Sequence, residues 1–183
     1  MVGTRQTKIL ILGATGTIGN LAARTIVSKR PDVGLRLTSH RTEGAEALKC
    51  EFPDQEVQRV SLENVPSLVE ALRGVDKALV VYPDMIDERR CCNALVTAIS
   101  GAGGPKHVVR LLTCPPGLEL EDLTSEEKEI PIGFVQGVVA RHVLANSGLP
   151  ITFVNILSVF MSNLLWSAET IREDHELVLP TLQ

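Results

Sequence analysis

Residues Lys8 to Gly19 read KILILGATGTIG. The run Ile9–Leu12 is apolar without alternation, the pattern of a strand covered on both faces in a parallel sheet. It passes through Gly13, Ala14, Thr15 and Gly16 into Thr17, Ile18 and Gly19, where helical spacing begins. A strand, a tight glycine turn and a helix start bring unpaired backbone N–H groups and the positive end of a helix dipole to one point. That arrangement holds a dinucleotide pyrophosphate. The spacing G-x-x-G-x-x-G is looser than G-x-G-x-x-G, and a lone glycine triplet says little. Its place between a strand and a helix, at the head of an alternating chain, gives it meaning. Asn20, not Lys, follows the last glycine, so a P-loop is excluded.

Outward from that turn, Ile18, Leu21, Ala22, Thr25 and Ile26 keep helical spacing to about Lys29, and Pro31 stops the helix. Further strands are expected at Gly34–Ser39, Val57–Val60, Ala78–Tyr82, His107–Leu112 and Ile151–Asn155. Helices are expected at Thr42–Cys50 with Thr42 as its cap, at Asn64–Leu72 capped by Asn64, at Asp84–Ser100, and at Pro131–Ser147. The acidic stretch Leu118–Glu129 reads as a solvated loop or short helix. Ser158–Arg172 reads as helical or looping, and Leu177–Leu179 as a small strand. This alternation predicts an α/β, Rossmann-like doubly wound parallel sheet of order 3-2-1-4-5-6, in one domain over residues 1–183. The ligand crevice then lies where the order reverses, between strands one and four. Gly13–Gly19 would meet Tyr82 and Pro83 there.

Composition narrows the class. The chain has 183 residues, 44% of them hydrophobic and 22% charged, as in an ordinary globular protein. Only six residues are aromatic, so the core must be aliphatic. The net charge is −4 and the basic residues are scattered, which gives no footprint for nucleic acid. No apolar run approaches the ~18 residues of a membrane span. The apolar run near the N-terminus is short and enters a glycine turn at once, unlike a signal peptide. Cys50, Cys91, Cys92 and Cys114 show no C-x-x-C spacing. They read as free thiols of a reducing, cytoplasmic compartment, without a metal site.

The residues also speak to cofactor choice. An NAD-selective site usually ends its second strand with a carboxylate for the ribose 2′-hydroxyl. Here the strand ends Thr38-Ser39-His40-Arg41, with no carboxylate before Glu43. Arg41 can hold a 2′-phosphate bidentately and Ser39 can add a hydrogen bond, so NADP(H) is expected over NAD(H).

With these motifs in place, the chain resembles the NmrA-like and isoflavone-reductase-like branch of the atypical short-chain dehydrogenases. The likeness is carried by GATGTIG, LVEALRGVDKALVVYP, GGPKHVVRLL and SGLPITFVNILSVFMSNLL, and it runs over nearly the whole chain. It implies an oxidoreductase, a reductase or isomerase of a small organic or secondary metabolite, and it associates the Arg41 position with NADP. It also implies a Tyr and a Lys for proton transfer on one helix face. The Lys position, thirteen residues before Pro150, is Gly137, and the Tyr position four earlier is Gly133. Arg141 does match the branch. No catalytic acid or base is therefore assigned. Tyr82, the single tyrosine, is expected to line the crevice rather than donate a proton. Relatives usually continue into a further strand and a helical lid, which the resemblance leads one to miss here.

Three readings follow: an NADP(H)-dependent reductase or isomerase with a small-molecule substrate, a non-catalytic dinucleotide-binding redox sensor with a regulatory protein partner, and a truncated inactive relative. Neither a nucleic acid nor a membrane is expected as partner.

Overall fold

The protein is described by a computed structural model covering residues 6–83, 85–130, 133–156 and 172–173. Along residues 7–155 strands and helices alternate: β1 (Thr7–Leu12), α1 (Thr17–Lys29), β2 (Val33–Ser39), α2 (Thr42–Glu51), β3 (Glu56–Arg59), α3 (Val65–Leu72), β4 (Lys77–Val80), α4 (Glu88–Ala102), β5 (His107–Leu112), α5 (Phe134–Ala145) and β6 (Ile151–Asn155). The six strands form one parallel sheet of order β3-β2-β1-β4-β5-β6, as the alternation predicts.

β1 sits at the centre and pairs with β2 on one side and β4 on the other. Leu10, Ile11 and Leu12 are fully buried, which explains the absence of alternation. One side chain set of the sheet packs against α1 and α2, through Ile11, Ala23, Leu35, Leu37, Leu48 and Phe52. The opposite set meets α3 and α4, through Leu10, Leu12, Leu68, Leu72, Val80 and Leu95. At about 1.5–3 kcal/mol for each fully buried leucine or isoleucine, these two layers are the main favourable term of the fold.

Boundaries differ from the sequence reading where a partner or a cap decides them. β4 ends at Val80 rather than Tyr82, because its neighbour β1 turns away at Gly13 (φ +89°). Val81 keeps a last bond, donating its N–H to the Leu12 carbonyl at 3.0 Å. α4 starts at Glu88, not Asp84: Asp87 is its cap, accepting from the Arg90 N–H at 2.9 Å. Asp84 lies outside the described residues, as do Pro131 and Ile132, and α5 starts at Phe134. Thr42 is the first residue of α2 and not its cap; Arg41 holds that position, and its side chain makes no hydrogen bond to the helix start. Asn64 does cap α3, accepting from the Ser67 N–H at 2.9 Å. β3 is Glu56–Arg59, one residue earlier than expected. The acidic stretch forms two short 3-10 turns, Leu120–Asp122 and Glu127–Glu129. The expected segments Ser158–Arg172 and Leu177–Leu179 lie outside the described residues, apart from Arg172.

Candidate functional site

The carboxyl ends of β1, β2 and β4, with Val60 and Leu62 just beyond β3, enclose a crevice of about 130 Å³. It is lined by Gly13, Thr15, Gly16, Thr38, Ser39, His40, Val60, Leu62, Val81, Tyr82 and Pro83. This is the switch point, where open α/β sheets bind ligands. A second hollow of about 330 Å³ shares His40, Leu62 and Pro83 with the first and adds Ser61, Glu63, Ile86 and Cys91.

The glycine turn is shaped by close backbone approach. A Cβ on Gly13 would stand 2.0 Å from the Val81 carbonyl oxygen, and one on Gly19 would stand 2.2 Å from the Gly13 carbonyl oxygen. The Gly16 N–H closes the turn onto the Gly13 carbonyl at 3.1 Å. Gly16 occupies the cap position of α1 with no side chain over the helix start. The N–H groups of the first turn are thus left without a side-chain cap, as an anion at a helix start requires. Ala14 is buried within the α1 layer, and Thr15, Thr17 and Ile18 are exposed. Of the expected site residues, Gly13, Thr15, Gly16, Ser39, His40, Tyr82 and Pro83 line the crevice, while Ala14, Thr17, Ile18, Gly19 and Arg41 stand behind or beside it.

At the end of β2 the chain makes a small hydroxyl turn. Ser39 Oγ accepts from the Arg41 N–H at 3.1 Å and donates to the Arg41 carbonyl at 2.8 Å. The Ser39 hydroxyl therefore shapes the Arg41 backbone. The Arg41 side chain is exposed and donates from Nε to His40 Nε2 at 3.1 Å. Gly44 lets α2 press against this corner, since a Cβ there would meet Ser39 Oγ at 2.5 Å and the Thr15 methyl at 3.0 Å.

Tyr82 faces two ways. It contributes to the crevice wall, but its hydroxyl is buried and has no hydrogen-bond partner. The Arg110 guanidinium lies 4.6 Å from its ring centroid. Burial holds the phenol well above its ordinary pKa; Cys92 adds to the rise and Arg110 opposes it. An orphaned hydroxyl costs about 1–3 kcal/mol, and a desolvated cation–π contact worth about 2 kcal/mol offsets part of it. Neither feature suits a proton donor to a ligand in the crevice.

Arg110 and Glu88 form a buried ion pair, 5% and 3% exposed. Arg110 also donates to the Leu111 carbonyl and, at 3.4 Å, to the Val80 carbonyl. The pair ties β5 to the end of β4 and the first residue of α4, directly behind Tyr82. Sequence reading missed it, although a charge inside the run HVVRLL was the available signal.

The two glycines in the expected proton-transfer positions have structural work of their own. Gly133 precedes α5 at φ 70°, ψ −149°, a conformation closed to residues with a side chain. Gly137 lies in α5 against the end of β5, where a Cβ would stand 1.7 Å from the Thr113 carbonyl oxygen. Arg141 bonds the Leu118 carbonyl and pairs with Glu119 at 2.9 Å. His142 stands 3.8 Å from Glu121, beside the acidic turns. Cys114 is buried, and burial raises its thiol pKa.

Comparison with known proteins agrees with this architecture. The NmrA-like family model matches residues 5–176, and the chain belongs to that family. An NAD(P)H azoreductase from Xenophilus azovorans is 31% identical over 172 residues, covering 94% of this chain and 55% of the relative. The Escherichia coli NADPH-dependent quinone oxidoreductase, solved with NADPH, superimposes with a TM-score of 0.72 at 21% identity, over 91% of this chain and 54% of that one. The Citrobacter sp. triphenylmethane reductase, solved with NADP(H), gives 0.65 at 22% identity, over 88% and 55%. The chain thus spans about half the length of these proteins. Among the described residues no helix is long and apolar enough to cross a membrane.

Proposed function

We propose that this chain binds NADP(H) in the crevice at the β1–β4 junction and serves an oxidoreductase acting on a small organic molecule. The observation that carries this is the Gly13–Gly19 turn, whose close backbone contacts leave no room for a side chain and whose helix start has no cap of its own. The residues present fit the dinucleotide. Gly13, Gly16 and the first turn of α1 would hold the diphosphate, and Arg41 the 2′-phosphate. His40, Val60 and Leu62 would flank the adenosine half, with Tyr82 and Pro83 as the opposite wall. When bound, the nicotinamide supplies or takes up a hydride. The chain's own part is to bind, orient and keep water from the crevice.

The substrate class is supported by the relatives, whose names point to quinones, azo compounds and triphenylmethane dyes. Such conjugated, electron-poor acceptors demand less of a side-chain acid than an isolated ketone does, which suits a site with glycine at 133 and 137. A second reading, a dinucleotide sensor without turnover, is favoured by one observation, the 1.7 Å that excludes any side chain at Gly137.

Calorimetric titration with NADPH and NADH, with Arg41→Ala alongside, tests the binding. Tighter binding of NADPH is expected, and its loss in Arg41→Ala; equal affinities sink the NADP(H) assignment. NADPH absorbance followed with a quinone, an azo dye and a triphenylmethane dye then separates the readings. Sustained oxidation above background supports the reductase, and binding without turnover supports the sensor.

A further inference from the structure

We propose that Arg59 is a second determinant of preference for a 2′-phosphorylated cofactor, acting beside Arg41; this rests on the NADP(H) reading above. The parallel register sets Arg59 opposite Ser39 at the end of β3. The Val60 N–H donates to the Ser39 carbonyl at 2.8 Å, so the two strand ends are held level. Arg59 Nη1 donates to Thr42 Oγ1 at 3.2 Å, which draws the guanidinium across to the residue next to Arg41. That leaves its remaining N–H donors without a partner among the described residues.

The two arginines at this corner differ from the arginines of β2 and its approach in having no carboxylate partner among the described residues. Arg36 on the adjacent strand is answered by Glu56 at 2.8 Å, and Arg30 by Asp32 at 2.7 Å. Among the described residues, neither Arg41 nor Arg59 stands within ion-pair distance of a carboxylate. Two permanently charged guanidinium groups beside one turn repel each other. A phosphate dianion on the ribose 2′ position turns that repulsion into charge-assisted hydrogen bonds. A ribose 2′-hydroxyl, as in NADH, brings no charge and gains little. The placement is set by strand register rather than by chain proximity, since seventeen residues separate Thr42 from Arg59.

The test compares NADPH and NADH affinities by titration calorimetry for the unaltered protein, Arg59→Ala and Arg59→Lys, with melting temperatures recorded for each. Arg59→Ala is expected to weaken NADPH about tenfold or more and to leave NADH unchanged, and Arg59→Lys to recover part of the loss. Unchanged NADPH affinity in Arg59→Ala overturns the proposal. So does an equal loss for both cofactors, which marks Arg59 as a support of the fold. If the unaltered protein does not favour NADPH, the NADP(H) reading fails first and this proposal falls with it.

Discussion

Two glycine pairs stand at two helix starts in this molecule, and they do opposite things. Gly13 and Gly19, around the start of α1, let backbone approach backbone at the edge of an open crevice. Around the start of α5, Gly133 supplies a left-handed backbone turn and Gly137 lets the helix close down on the end of β5. A Cβ on Gly137 would lie even nearer to a carbonyl oxygen than one on Gly13, 1.7 against 2.0 Å. Yet Gly13 lines a hollow, whereas the space beside Gly137 is filled by the Thr113 backbone. Absence of a side chain therefore does not mark a binding loop. What matters is whether the space it leaves faces solvent or another segment of the chain.

The sharpest way to break this comparison begins behind the crevice, at the ion pair that backs Tyr82. Arg110→Met is expected to cost about 3–5 kcal/mol, because Glu88 is left as an uncompensated buried charge. The double change with Glu88→Met should return to within about 1 kcal/mol of the unaltered protein, since buried pairs are often replaceable by apolar residues. Urea unfolding of the three variants measures both. A small effect of the single change would show that water reaches the pair and that the wall behind Tyr82 is looser than its burial indicates.

The next largest effect concerns the second glycine pair. Gly137→Ala is expected to destabilise by about 3 kcal/mol, at the upper end of overpacking costs, because its clash is with backbone rather than with a movable side chain. Gly133→Ala should cost about 1–3 kcal/mol through its backbone conformation alone. Denaturation midpoints at unchanged slope read both. If Gly137→Ala were as stable as the unaltered protein, α5 could retreat, and the position would be open to a side chain after all.

The smallest effect is kinetic. Cys50 is exposed, while Cys91, Cys92 and Cys114 are buried. Burial pushes the Cys91 thiol up to about 12 and raises those of Cys92 and Cys114, so little thiolate is present at neutral pH. A disulfide exchange reagent should find one fast thiol per chain in the native state and four after unfolding. A fast Cys114 would mean that the end of β5 is not closed by α5.

Much of the first half was legible without a fold. The apolar run Ile9–Leu12, the glycine turn and the cap Asn64 are local features, fixed by residues within a few positions of one another. Strand order followed from the alternation and from the handedness of crossovers. The crevice was legible at Gly13, His40, Tyr82 and Pro83, but not at Thr38, Val60, Leu62 and Val81, ordinary strand-end residues that only register brings together. Ends of elements were misjudged where a distant partner stops, as when β1 turns at Gly13 and strands Tyr82 beyond β4.

The sequence by itself determined the class of sheet and the place of the glycine turn, because each depends on periodicity or on spacing along the chain. Tertiary structure decided what the remaining residues are for. It put Arg59 beside Thr42, bound Arg110 to Glu88 behind Tyr82, and showed Gly137 pressed on Thr113. Those contacts join residues 17 to 24 positions apart. No local pattern encodes them, because they exist only once parallel strands are in register and the helices have packed across them.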